Sequence, residues 1–155
     1  MDLTEFLLSQ RQTFEIGSWI LGEAMENSLP CRFRVRSAKP LGVSTEEYAC
    51  LLRVALHTSR ELPDRVNPTA LTEVRLEFEE VMEAMEERFR GAMMFAFYTE
   101  VGCEWFWYVA DASSWTQDLI DALKHHPIYP IEVVQIEDHH WSIWEQLRFG
   151  NPLRP

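Results

Sequence analysis

Cysteine, glycine, basic side chains and long apolar runs are all scarce in this 155-residue chain, and each scarcity excludes something. Cys31, Cys50 and Cys103 are an odd set, far apart and without a CxxC pair. They read as buried free thiols of a reducing compartment, not as a disulfide framework. Glycine and proline together amount to 6 and 8 residues, too few for a collagen-like or low-complexity chain. Lys and Arg number 14 against 25 Asp and Glu, a formal charge of -11. That balance argues against direct binding of nucleic acid, whose non-specific affinity comes from Lys and Arg displacing counterions, and against an anionic membrane surface. No stretch approaches the ~20 apolar residues that cross a bilayer. The opening MDLTEFLLSQRQTFEI has acids at Asp2 and Glu5 in place of the basic start of a secretory signal, which points to the cytoplasm. A Gly-rich phosphate loop, a G-x-S-x-G elbow and an H-E-x-x-H pair are likewise missing.

What is present is the material of a globular core: 46% hydrophobic and 12% aromatic residues, including six Trp. The length suits one domain spanning residues 1–155. The clearest helix runs from Pro68 to about Arg90, with Asn67 as N-cap and Pro68 in the first turn. Leu71, Val74, Phe78, Val81, Met82, Met85 and Phe89 form its apolar stripe, and seven Glu between positions 73 and 87 lie mostly off it. A second helix is expected near Ser114, where Ser114 and Gln117 stand as in a capping box. Trp115, Leu119, Ile120 and Leu123 supply its apolar face, and His125-His126-Pro127 ends it. Elsewhere the period falls to two. Cys31, Phe33 and Val35 alternate with Arg32, Arg34 and Arg36, and a looser alternation at 14–21 precedes a turn at 26–30. Residues 49–57, 92–99, 104–110 and 131–137 read as further strands, with a tight turn at Val101-Gly102-Cys103. Asp138 can cap a short last helix carrying Trp141, Trp144 and Leu147.

This order predicts an α+β fold. Residues 49–137 form a ferredoxin-like split βαβ (βαββαβ) unit with an antiparallel sheet, 13–37 an added N-terminal hairpin, and 138–149 a short C-terminal helix. The strands 49–57 and 104–110 are apolar on both faces, as central strands require, whereas Glu132, Gln135 and Glu137 mark 131–137 as an edge.

Chemistry is harder to place. His125-His126 and His139-His140 are adjacent pairs, whose side chains diverge, so a metal site would need one from each pair plus a carboxylate. Cys103 sits beside Glu104, which raises a thiol pKa, and Ser113 and Ser114 are explained by capping. No cofactor and no catalytic residue is nominated. Interaction features are more evident. Arg32, Arg34 and Arg36 leave one strand face together, where they can grip phosphates or acidic side chains or be neutralised by cross-strand acids such as Glu15 and Glu23. Glu73, Glu77, Glu80 and Glu87 offer an acidic helix face, and Trp105, Trp107 and Trp141 are candidate contact aromatics.

The run FAFYTEVGCEWFWYVAD at 95–111, followed by a helix and PIEVVQIEDHHWSIWEQL at 130–147, resembles the bacterial domain-of-unknown-function 695 family. The likeness rests on the Phe-Tyr strand, its hairpin partner, and a closing segment with Asp138 and Trp141. In some bacterial proteins such a domain accompanies one similar to the regulator of ribonuclease E activity B, which it resembles in fold; the kinship implies a ferredoxin-like fold and a non-catalytic protein-binding role, and carries over no functional residue. The expected function is a cytoplasmic inhibitor of a partner protein, most concretely an immunity protein against a bacterial toxin, acting as monomer or homodimer. A regulator of an RNA-processing enzyme is the alternative, and an enzyme of unknown type the third.

Overall fold

The computed structural model describes residues 11–16, 18–26, 29–57, 68–87, 91–100, 102–126 and 131–149. Among these, the elements are β1 (Arg11–Ile16), β2 (Trp19–Glu26), β3 (Leu29–Arg36), β4 (Cys50–His57), α1 (Pro68–Glu87), β5 (Gly91–Thr99), β6 (Gly102–Val109), α2 (Ala112–Leu123), β7 (Ile131–Ile136) and, after one turn at His139–Trp141, α3 (Ser142–Phe149). The class is α+β. The strands form one open sheet in the order β1-β2-β3-β5-β6-β4-β7, every neighbouring pair antiparallel. Within it β6 and β4 lie between β5 and β7, and β7 is an edge.

Strict alternation sorts the sheet's side chains into two cores. On one face Leu52, Val54, Trp105 and Trp107 pack under Phe78, Met82 and Met85 of α1 and Trp115 and Leu119 of α2. On the other, Val35, Leu51, Phe106 and Tyr108 pack under Trp141, Trp144 and Leu147. Asp138 caps α3 as its position predicts: its carboxylate accepts the Ile143 N–H at 3.1–3.2 Å and the Tyr108 hydroxyl. Burial and the Asp138 carboxylate together push the Tyr108 hydroxyl far above its ordinary range, so it stays a donor.

Several expectations are corrected. The alternation at 14–21 is two strands, β1 and β2, so the expected hairpin region is a three-stranded meander. The helix after β6 begins at Ala112, capped by Asp111, whose Oδ1 accepts the Ser114 N–H at 2.9 Å; the Asp side chain outcompetes the Ser114 capping box. Ile120 is 52% exposed and not part of that helix's buried face. Gly102 and Cys103 belong to β6, and the turn sits at Glu100. The expected cap Asn67 and the stripe residue Phe89 lie outside the described residues.

Two local features shape the sheet where it passes under α1. Met94 is an extra residue in β5, a bulge between Met93, opposite Trp107, and Phe95, opposite Phe106. It sends Met94 and Phe95 into the same core, and the β3–β5 ladder, Arg32–Val35 against Tyr98–Phe95, stops there. Gly91 opens β5 against β6 so closely that a Cβ would lie 2.8 Å from Val109 Cγ1.

Candidate functional site

The basic strand and the acidic helix, read from the sequence as two separate features, meet in the structure. Arg34, Arg36 and Trp19 project from β3 and β2 toward α1. The guanidinium carbons of Arg34 and Arg36 lie 4.6 and 4.1 Å from the centroid of the Trp19 ring. Arg34 donates to the Tyr98 hydroxyl at 2.9 Å and approaches Glu79 at 3.6 Å. Arg36 pairs with Glu86 and donates to the Met93 carbonyl at 3.3 Å and to Ser18 Oγ at 3.3 Å. Burial holds the Tyr98 hydroxyl well above its ordinary value, against the pull of Arg34.

The acids doing this are Glu79 and Glu86, not those nominated from the sequence. Glu73, Glu77 and Glu80 are exposed on the far side of α1, and the side chain of Glu87 lies outside the described residues. Arg32 diverges from its neighbours: it pairs across strands with Glu23 at 3.5 Å, and both are largely exposed. Replacing Arg32 by Ala should therefore change stability by no more than about 0.5 kcal/mol. Arg36→Ala should cost about 1–3 kcal/mol, because it strips Glu86 and the Met93 carbonyl of a donor. Urea unfolding of the two variants side by side measures the difference.

Beyond Arg36 the two strands part, and a cleft of about 580 Å³ opens between β3 with the loop after it and β5 with α1. Its floor is apolar, from Met82, Ala92, Met93 and Trp107. The Nε1 of Trp107, in a fully buried side chain, has no hydrogen-bond acceptor among the described residues. On the outer wall the Val43 N–H reaches the Pro40 carbonyl at 3.4 Å, closing a turn with Gly42 at φ 78°. That turn leaves Leu41 fully exposed. The wall is tied to α3: Trp144 Nε1 donates to the Arg36 carbonyl at 2.9 Å, and Trp141 Nε1 to the Tyr48 carbonyl at 2.8 Å.

No family model, curated protein or solved structure matches this chain. What the cleft and the charged surfaces can do therefore follows from the geometry and chemistry of their residues.

The contact aromatics expected from the sequence are corrected by that geometry. Trp105, Trp107 and Trp141 are each 0% exposed and form core, because the helices cover the first two and α3 carries the third inward. Cys103 is buried, which pushes its thiol up to about 12 and makes it a poor nucleophile. His125, His126 and His140 are exposed, and among the described residues no group of three His, Cys, Asp or Glu is placed to hold a metal. Across β4 and β6, Arg53 and Glu104 make a half-buried ion pair at 2.9 Å. Burial pushes the Glu104 carboxyl up, but it is brought below 4.5 by neighbouring positive charge, of which the hydrogen-bonded Arg53 is the largest contributor. The residues that sequence reasoning missed are Trp19, Lys39, Glu79, Glu86 and Met93. The signal for Glu79 and Glu86 was their place beside Phe78 and Met85, at the border of the apolar stripe.

Proposed function

We propose that this chain is a non-catalytic cytoplasmic interaction module that binds and inhibits a partner protein with a basic surface, most concretely an immunity protein neutralising a bacterial toxin. The observation carrying this reading is the outer face of α1. Glu73, Glu77 and Glu80, spaced by four and three residues, are all exposed. They run as a line of roughly 10 Å, at 1.5 Å per residue, along one side of the helix. The inward acids Glu79 and Glu86 are engaged by Arg34 and Arg36. The exposed carboxylates of Glu73 and Glu80 add to the negative field that would steer this face onto a cationic cleft. Among the described residues no helix is long and apolar enough to cross a membrane.

The ribonuclease-regulator alternative would draw on Arg32, Arg34 and Arg36 if the basic stripe took part in binding, and two of these, Arg34 and Arg36, pair with acids within the chain. A ferredoxin-like unit from β4 to β7, and kinship with the domain-of-unknown-function 695 family, belong to the same proposal. The first is supported by the order β5-β6-β4-β7 with its two helical crossovers, and the second rests only on the sequence runs at 95–111 and 130–147.

The test is binding of the purified chain to the product of a toxin-like gene beside its own, at low and at physiological salt. The triple variant Glu73→Lys/Glu77→Lys/Glu80→Lys should lose at least ten-fold in affinity, mainly through a slower on-rate, with its melting temperature unchanged. Affinity that ignores the triple reversal, or absence of binding at low salt, overturns the reading.

A further inference from the structure

We propose that the cleft between β3 and β5 binds an extended peptide segment ending in a carboxylate, and that Glu86 is the chain's own stand-in for that carboxylate. This does not rest on the outer face of α1. The bulge at Met94 ends the β3–β5 ladder at Val35 and Phe95, so among the described residues no strand lies alongside β5 at Met93 on the β3 side. Its backbone groups are met by side chains instead. The Met93 N–H donates to Glu86 Oε2 at 3.0 Å, Arg36 Nε donates to the Met93 carbonyl at 3.3 Å, and Arg36 Nη2 closes the loop on Glu86 Oε1. Together the Arg36 and Glu86 side chains supply the donor and acceptor that an added strand would supply from its backbone. A carboxylate held between a backbone N–H and a guanidinium is also how a peptide C-terminus is captured.

The rest of the cleft fits such an occupant. Its volume of about 580 Å³ is within the range of about 300–1,000 Å³ of ligand pockets. The floor of Met82, Ala92 and Trp107 is apolar, Leu41 stands fully exposed at the rim, and Lys39 is an exposed cation beside it. The lining sets three cations, Arg34, Arg36 and Lys39, against two carboxylates, Glu83 and Glu86, so that an incoming carboxylate which displaces Glu86 from Arg36 meets a local excess of positive charge.

The experiment titrates the ¹⁵N-labelled full chain with N-acetyl-Val-Val-Leu bearing a free carboxylate, with the same tripeptide as its C-terminal amide, and with octanoate. Saturable shifts are expected at the amides of Gly91, Ala92 and Met93 and at the Trp107 indole, with the amide peptide and octanoate each at least ten-fold weaker. Glu86→Ala should bind the free-carboxylate peptide several-fold tighter, because the competing carboxylate is gone, and Lys39→Glu should bind it at least three-fold weaker. Absence of saturable shifts, or equal affinity for the amide peptide, overturns the proposal. Octanoate binding as tightly as the peptide overturns the strand-like mode. Should Glu86→Ala fail to fold, the exposed Lys39→Glu decides, and unchanged affinity there overturns the proposal.

Discussion

Replacing Trp144 by Ala is expected to lower stability by about 3–5 kcal/mol, the cost of emptying a buried tryptophan site. The indole is 0% exposed, meets Trp141 edge-on at 6.1 Å, lies beneath the Arg148 guanidinium at 4.6 Å and donates to the Arg36 carbonyl. Removing it detaches α3 from the chain just after β3 and opens the core around Tyr108. For a domain whose whole stability is about 5–15 kcal/mol, that is a large share. Trp144→Phe should keep much of the packing and lose the hydrogen bond, at about 1–3 kcal/mol. Urea unfolding followed by circular dichroism measures both. If Trp144→Ala shifts the midpoint no further than Arg32→Ala does, α3 is not a structural clamp.

The second large effect concerns Arg53 and Glu104, whose side chains are 19% and 13% exposed. Arg53→Met should cost about 3–5 kcal/mol at neutral pH, because it withdraws the guanidinium from a half-buried carboxylate. Arg53→Met/Glu104→Leu should recover most of that loss, since apolar replacement of a buried pair is often neutral. The pH dependence has a definite sign. In the parent the folded Glu104 carboxyl lies below its ordinary 4.5. The stability it adds is therefore complete above that value and lost as pH falls through the lower folded one. In Arg53→Met the upward push of burial loses its main opponent, and protonation at low pH then relieves the variant. The gap between parent and Arg53→Met should accordingly narrow from pH 7 to pH 4. A gap that stays constant across this window would show that the pair is not the source of the effect.

Much of the fold could be read from periodicity. The alternation of Cys31, Phe33 and Val35 with three arginines located β3, and the three- and four-residue spacing of Phe78, Val81, Met82 and Met85 located α1. Both patterns are local and survive whatever the chain packs against. Asp138 as cap of the last helix was legible for the same reason. The misreadings fall where local signals compete or are silent. Asp111 and Ser114 are both good caps, and only the helix start at Ala112 decides between them. Trp141 was offered as a contact residue because nothing in its neighbours shows that His140 and Trp141 both take φ near 61°. That conformation is costly for a bulky residue. It is held by the stacking of Trp141 on Tyr108 at 4.2 Å and by its bond to the Tyr48 carbonyl.

The sequence by itself determined the class, the element order from β3 onward, the two apolar faces of the central strands and the acidic surplus of α1, because each of these is written in neighbours a few residues apart. Only the tertiary structure decided which charges cancel. Arg36 and Glu86 are 50 residues apart and meet because β5 and α1 lie beside β3, a neighbourhood that no local period encodes. The same packing turned Arg34 and Arg36 inward, left Arg32, Glu73, Glu77 and Glu80 outside, and opened the cleft where one extra residue, Met94, ends the pairing of two strands.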